Sequence, residues 1–278
     1  MNTVLTVKRL VFGLFFMANA LLGTAQDTLS TKQMFVSDFK TALGGVKHAY
    51  TRPLQWKEKD FLSAGSIILG TAALYTFDED SSNWFRNQQD DIPTVLKESG
   101  YYIGKPLYNY SLNGSVYLVG LFTKNEKIRH TGVLLLSSSA AIGILQSISK
   151  TVVGRARPVT ELGKGEFKPF SKEAAYHSFP SGHTALSVTT FYAIGKQFKN
   201  PWIKGGFYTL GMVSPISRLW DGAHWLTDVA VSVAVSVVVV DTIDKFLKKA
   251  ENKNQFSEDR ISWTLQMGPG TIGLRGTF

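Results

Sequence analysis

The chain has 278 residues, a formal net charge of +9 and no cysteine, which excludes a disulfide framework and a thiolate zinc site. Hydrophobic residues make up 44% and charged residues 18%, whereas soluble domains average about 25% charged residues. Mean hydropathy is near zero, so the chain is neither an ordinary soluble enzyme nor a strongly apolar transporter.

The N-terminus has the layout of a secretory signal. Lys8 and Arg9 precede an apolar run over residues 10–22, and small residues follow as far as Ala25. This order predicts a signal peptide over residues 1–25 with cleavage after Ala25, and the alternative is an uncleaved N-terminal anchor. Either one directs the chain to or across a membrane, which argues against nucleic acid as a partner. Export without cysteine is compatible with a bacterial cell envelope.

After a polar N-terminal segment over residues 26–60, the chain contains six apolar segments without the strict alternation of strands, so each predicts a helix. They are 61–77, 112–123, 131–149, 184–198, 205–218 and 226–246. The predicted fold class is all-α, a six-helix bundle that forms one helical domain over residues 61–249. In the remaining tail, 250–278, a Gly-Pro-Gly turn lies between two short segments and predicts a small irregular or β-hairpin extension.

Charge alternates between successive loops of the predicted bundle. Basic residues precede the first and third helices, separate the fourth from the fifth and follow the sixth, whereas the loop 78–111 is acidic. The positive-inside rule then predicts six transmembrane helices. It places the segments 150–158, 180–183 and 217–228 together on the outer side, which would face the periplasm.

This topology conflicts with a cleaved signal peptide. Six spans would place residues 26–60 inside, whereas cleavage would leave them outside. Among the six segments, only 226–246 comfortably provides the roughly 20 apolar residues of a span. Three alternatives stay open: the first apolar run is retained or does not span, a short segment such as 112–123 does not cross, or the bundle is a periplasmic or surface-bound domain.

The first of those outer segments is Lys150-x6-Arg157-Pro158. On a continuous helix, seven residues are about two turns, so Lys150 and Arg157 would share a face. Arginine presents a planar fork that matches phosphate oxygens, and lysine acts as a point charge. We expect both to bind phosphate, although the pattern alone also fits a solvated basic helix end.

The second segment is Pro180-Ser181-Gly182-His183, directly before an apolar helix. Free backbone N–H groups at a helix start hold anions, and Ser181 and Gly182 occupy that position. His183 could donate a proton to a departing oxygen. The alternative is an ordinary helix cap with an incidental histidine.

The third segment is Ser217-Arg218-x5-His224-x3-Asp228. On a helix, His224 and Asp228 would share a face, so we expect Asp228 to accept the imidazole N–H. That bond would leave the other ring nitrogen free as a nucleophile. By itself, the pair also fits a polar helix cap.

Together the three segments resemble the type 2 phosphatidic acid phosphatase superfamily, whose signatures K-x6-R-P, P-S-G-H and S-R-x5-H-x3-D occur here without a mismatch. The resemblance covers a motif core of roughly residues 130–246. The superfamily includes membrane lipid phosphatases, soluble bacterial acid phosphatases and vanadium haloperoxidases.

The resemblance implies a role for each motif residue. His224 would attack phosphorus to form a phosphohistidine, oriented by Asp228, and His183 would protonate the leaving group before water releases phosphate. No metal or cofactor is implied. The substrate-binding residues would be Lys150, Arg157, Ser181, Gly182 and Arg218.

The sequence therefore favours a metal-independent phosphatase of a lipid phosphate or diphosphate, acting at the outer face of a membrane in the cell envelope. Candidate substrates are a polyprenyl diphosphate, a phosphatidate-type lipid and a lipid A phosphate; no protein partner is evident. The alternative is a soluble periplasmic acid phosphatase of broad specificity. A vanadium haloperoxidase is disfavoured because the chain lacks the extra length expected from that resemblance.

Overall fold

The computed structural model describes residues 30–258, 262–268 and 271–277, with side chains as far as Asn252; the predicted signal peptide or anchor lies outside these residues. The described part contains nine α-helices and one two-stranded antiparallel sheet. In chain order they are α1 Thr31–Thr51, α2 Glu58–Thr76, α3 Asp78–Asn87, α4 Thr94–Gly104, α5 Pro106–Phe122, α6 Glu126–Val153, α7 Gly182–Lys196, α8 Pro201–Trp220, α9 Leu226–Glu258, β1 Ser262–Gly268 and β2 Thr271–Thr277.

The all-α class is confirmed, but the count of six helices is not. The six predicted segments correspond to α2 and α5 to α9, and α1, α3 and α4 lie in stretches that the sequence marks only as polar. Helix α1 shows why such helices escape a search for apolar runs. It begins with a capping box in which Ser30 Oγ accepts from Gln33 N and Ser30 N donates to Gln33 Oε1, a purely polar signal.

Helices α2 and α5 to α9 pack side by side as a bundle. Helix α5 packs on α6, α7 packs on α6 and α8, and α9 lies against α6 and α7. Helix α1 lies against α9 at one end of this bundle, where Gly45 contacts Ile243. Helices α3 and α4 pack against α8 near its other end, where α6 ends and α7 begins. We call this second end the motif end, because all three sequence motifs lie there, and the opposite one the far end.

Two of the described helices, α6 and α9, are long and apolar enough to span a membrane, and a third span is added if the bent pair α2–α3 is counted as one. The outer faces of the bundle expose large apolar side chains, among them Leu69 at 73%, Phe122 at 72% and Trp202 at 88%. Such a surface is unusual for a soluble monomer and typical of helices that contact lipid. These features indicate a membrane protein.

Helices α5 and α7, with 17 and 15 residues, carry polar groups that face the interior of the bundle. Asn113 Nδ2 donates to Asn109 Oδ1 at 3.1 Å, to Ser139 Oγ at 2.9 Å and to Thr190 Oγ1 at 3.1 Å. These bonds join α5, α6 and α7, and inter-helical hydrogen bonds of this kind hold helices together in apolar surroundings. A hydropathy average counts these residues as polar although they are buried.

The hydrophobic core leaves the motif end free for polar groups. Its largest cluster of buried side chains joins α1, α5, α6, α7 and α9, and includes Met34, Leu134, Leu135, Val240 and Ile243. At the motif end the buried side chains are instead mostly charged or polar.

The C-terminal strands pair antiparallel, with Leu265 opposite Leu274, in the stretch for which the sequence predicts a hairpin. Helix α9 continues beyond residue 249 to Glu258, so the tail begins later than the predicted boundary.

Candidate active site

The first motif brings two cations to one point. Lys150 Nζ donates to the carbonyl oxygen of His177 at 2.8 Å, and Arg157 Nη2 donates to the same oxygen at 3.5 Å. The expected shared helix face is wrong, because α6 ends at Val153 and Gly154 turns the chain with a φ of 59°. That left-handed turn places Arg157 in a loop, from which it folds back toward Lys150.

The second motif forms the start of α7, as expected. Ser181 is its N-cap, and the Ser181 Oγ accepts a hydrogen bond from Thr184 N at 3.4 Å. A Cβ on Gly182 would lie 2.1 Å from Gln146 Oε1, so the glycine leaves room for the Gln146 side chain between α6 and the start of α7. The hydroxyl proton of Ser181 and the N–H groups of this first turn remain suited to an anion.

His183 lies in the first turn of α7, outside the apolar part of that helix. Its ring centroid is 5.2 Å from that of Tyr101, and its Nε2 is buried without a hydrogen-bond partner among the described residues. Burial, followed by the charges of Arg218, Lys150 and Arg157, lowers the pKa of His183 to about 4. A bound phosphate would oppose those charges and favour the protonated ring.

Arg218 lies in the last turn of α8 and is almost fully buried. Its Nη2 donates to Ser217 Oγ at 2.8 Å and pairs with Asp221 Oδ2 at 2.6 Å, while its Nε has no partner in the described part of the chain. Its guanidinium lies 5.0 Å from the ring centroid of Tyr101. Asp221, one of the unspecified positions of the third motif, therefore holds this arginine in place.

His224 precedes α9 and is buried. Its Nδ1 lies 2.6 Å from the carbonyl oxygen of Ser178 but 3.9 Å from Asp228 Oδ2. The expected bond to Asp228 is therefore wrong, because His224 is not part of the helix and the four-residue spacing does not align the two side chains. A carbonyl can only accept, so Nδ1 carries the proton and Nε2 carries the lone pair. Burial, followed by the charges of Lys150 and Arg157, lowers the pKa of His224, which keeps the ring neutral.

Asp228 acts on His224 through Ser178. The Asp228 Oδ2 accepts from Ser178 Oγ and from Trp225 N, the latter at 2.9 Å, and its Oδ1 accepts from Arg155 Nη1 at 2.7 Å. Ser178 N in turn donates to the Arg155 carbonyl at 3.0 Å. Ser178 is thus held by its N–H and its hydroxyl, and this fixes the carbonyl that receives the proton of His224.

Arg155 connects this site to helix α3, a link that sequence reasoning missed. Its Nη2 lies 2.7 Å from Asp78 Oδ2, and Asp78 Oδ1 accepts from Thr227 N at 2.9 Å. We call Asp78, Arg155 and Asp228 the buried triad. Arg155 lies visibly inside the first motif, but no sequence pattern pairs it with an aspartate that precedes the motif core by some fifty residues.

The described residues contain no group of three or more His, Asp or Glu side chains arranged to hold a metal ion. Hydrogen bonds, ion pairs and shared charge effects instead link six of the eight predicted site residues at the motif end, and the other two, Ser181 and Gly182, directly precede His183. The arrangement can surround a phosphate with three cations while presenting one neutral imidazole to its phosphorus.

Part of this chain is similar in sequence to known proteins. Residues 131–249 match the sequence profile of the PAP2 superfamily. A Rhizobium etli protein named lipid A 1-phosphatase is 33% identical over 105 residues, which cover 37% of this chain and 44% of the relative. A Porphyromonas gingivalis protein of the same name is 29% identical over 113 residues, which cover 39% of this chain and 22% of that protein. The chain therefore spans less than half the length of these curated relatives.

Among solved structures, that of a transmembrane PAP2-type phosphatidylglycerolphosphate phosphatase from Bacillus subtilis aligns with a TM-score of 0.49 at 22% identity. The alignment covers 66% of this chain and 95% of that one. The profile match over residues 131–249 contains all three motifs, so this part of the chain is similar to the PAP2 superfamily.

Proposed function

We propose that this protein is a phosphatase that hydrolyses a lipid phosphate or diphosphate through a phosphohistidine intermediate. The observation that carries the proposal is the state of His224. Its Nδ1–H donates to the Ser178 carbonyl, so a neutral Nε2 lone pair is available beside Lys150 and Arg157. A neutral imidazole held in one tautomer among cations has the properties that a nucleophile toward phosphate needs.

The proposed reaction has two steps. In the first, His224 Nε2 forms a bond to phosphorus while the bond from phosphorus to the leaving oxygen breaks, and His183 gives that oxygen a proton. In the second, water attacks the phosphohistidine, His183 takes a proton from the water, and inorganic phosphate and neutral His224 are released. Lys150, Arg157 and Arg218 stabilise the charge on the transferring group in both steps.

A lipid substrate is supported by the apolar outer faces of the bundle and by its span-length helices. The two relatives described above carry the name lipid A 1-phosphatase, which supports the lipid A phosphate, a phosphorylated glycolipid, among the three predicted candidate substrates. We propose that six helices cross the membrane and that the motif end faces the periplasm, as the alternation of charged loops predicts.

Phosphate release tests this proposal. The purified full chain in detergent with EDTA is offered lipid phosphates, lipid diphosphates and soluble phosphate esters, alongside His224→Ala. We expect release from a lipid that His224→Ala abolishes. The matched control is His48→Ala, which replaces a histidine of α1 that stacks on Phe246 of α9, and it should keep full activity. Activity on soluble esters alone would contradict the lipid assignment, a strict need for metal would contradict the mechanism, and unchanged release by His224→Ala would contradict the nucleophile.

A further inference from the structure

A fourth cation lies beside the phosphate site, outside all three motifs. Lys105 joins α4 to α5, and its Nζ lies 5.3 Å from the ring centroid of Tyr101 and 5.9 Å from those of Tyr102 and Tyr108. No carboxylate of the described residues lies within 4 Å of this ammonium group. Aromatic rings hold a cation without neutralising it, so Lys105 keeps its charge available for an anion.

Close packing of α4 fixes the position of Lys105. A Cβ on Gly104, the preceding residue, would lie 2.7 Å from both the Cβ and the carbonyl oxygen of His183. One turn earlier, a Cβ on Gly100 would lie 2.3 Å from the Cβ of Ser217. The two glycines allow α4 to pack directly on α7 and α8. Because Lys105 follows Gly104, its backbone lies next to His183.

Tyr101 connects this lysine to the site. The ring of Tyr101 lies 5.2 Å from the ring of His183 and 5.0 Å from the guanidinium of Arg218. The ammonium group of Lys105 contacts this same ring. Tyr101 is more than one-third exposed, so this contact lies on the open rim of the site rather than in the core. Lys105 differs from Arg218 in one respect that matters for binding, because Arg218 is already paired with Asp221.

We propose that Lys105, supported by Tyr101, binds a second phosphate group carried by the leaving group of the substrate. The inference rests on the proposed function, in which His183 protonates the leaving oxygen, because the side of the site next to His183 is then the leaving-group side. His224 forms its bond to the terminal phosphorus, the oxygen bridging to the leaving group departs with the bonding electron pair, and His183 supplies its proton. The leaving group that Lys105 holds is then itself a phosphorylated lipid.

The test compares substrates that differ only in the second phosphate. One pair is a prenyl diphosphate and the matching prenyl monophosphate; the other is a glycolipid with two phosphates on separate sugars and the same glycolipid with one. With Lys105→Ala we expect kcat/KM to fall about tenfold more for the doubly phosphorylated member of one pair than for its partner, the size of one charge-assisted hydrogen bond. The pair that responds identifies where the second phosphate is attached.

Lys164→Ala is the matched control. Lys164 is also a half-buried lysine near the motif end, with its Nζ 5.2 Å from the ring of Tyr75, and its removal changes net charge by the same amount. It should lower kcat/KM equally for both members of each pair. Lys105→Arg should retain the preference, and thermal unfolding of each variant verifies that the fold is intact.

An equal loss on both members of each pair with Lys105→Ala would overturn the subsite while leaving the proposed function standing. If instead the unmodified protein releases no phosphate from any of the four lipids, the proposed function itself fails, and the subsite fails with it.

Discussion

The carbonyl of Ser178 accepts the hydrogen bond from His224 that the motif pattern assigns to the carboxylate of Asp228. It receives the Nδ1 proton of His224 at 2.6 Å, and Asp228 holds Ser178 through its hydroxyl. A carbonyl fixes the tautomer of the imidazole but offers no full negative charge next to it. The neutral ring is therefore favoured before attack, and the site depends on the ordering of one loop residue.

Ser178→Ala tests this arrangement. The variant keeps the carbonyl but loses the hydroxyl that anchors it to Asp228, so the imidazole should be held less well. We expect kcat to fall about tenfold, since an unmade buried hydrogen bond costs roughly 1–3 kcal/mol. Steady-state phosphate release measures kcat, and trapping of the phosphoenzyme should show slower formation. Full activity would mean that the hydroxyl has no positioning role.

The pKa of His183 leads to a prediction about pH. His183 must be protonated to donate, and burial together with nearby cations lowers its pKa to about 4 in the free protein. His183 can thus donate a proton below that pKa, and it loses this proton as the pH rises through the pKa. Bound phosphate offsets the cations and raises the pKa, so kcat should persist to higher pH than kcat/KM, which reports the free enzyme.

Rate profiles from pH 3 to 9, measured on one substrate, check this difference. In the variant His183→Ala, the alkaline limb of the kcat profile should no longer be separated from that of the kcat/KM profile. Coincident limbs in the unmodified protein would show that bound phosphate does not change the pKa of His183.

At the scale of elements, α4 helps to form the rim of the site, although its polar sequence does not predict this role. Its two glycines form one close-packed face against α7 and α8, and this contact places Tyr101 and Lys105 at the rim of the site. A helix with larger residues on that face would stand further from the motifs. Helix α3 makes a comparable connection through Asp78 and the buried triad.

Gly100→Ala should move α4 away from the site. The added Cβ would lie 2.3 Å from the Cβ of Ser217, which precedes Arg218. We expect kcat/KM to fall at least about tenfold, in line with an overpacking cost of roughly 1–3 kcal/mol. The matched control is Gly114→Ala in α5, where the new methyl group meets open space. It should preserve kcat/KM and stabilise the helix by about 0.5–1 kcal/mol; equal losses in the two variants would contradict the role of α4.

At the scale of the whole molecule, the bundle separates an apolar core in its far half from a charged site at its motif end. Helices α6 and α9 are long and apolar enough to span a membrane, and buried polar groups join α5, α6 and α7. The proposed orientation gives the two ends different environments.

Because the chain has no cysteine, single introduced cysteines can report that orientation. Lys172→Cys lies in the exposed loop of the motif end, and Lys199→Cys lies between α7 and α8 at the far end. With a membrane-impermeant maleimide that reaches the periplasm of intact cells, we expect labelling at position 172 only. Labelling at position 199 alone would reverse the topology, and labelling at both would contradict a spanning bundle.

The candidate site residues could be selected from the sequence because they lie in short local spacings. Lys150, Arg157, His183 and His224 carry charges or imidazoles that suit phosphate whatever the fold. The helical class followed from apolar segments of helical length, a local property of the chain. Helices α1, α3 and α4 were not predicted because their signals are polar caps and single glycines, which a search for apolar periodicity does not detect.

Tertiary structure alone decided how those residues cooperate. The turn at Gly154, rather than a shared helix face, brings Arg157 back to Lys150, and the Ser178 carbonyl, rather than Asp228, receives the proton of His224. Asp78 and Lys105 enter the site from outside the motif core. Spacing along a chain specifies partners only within one regular element, so contacts across loops and between helices become visible only when the chain is folded.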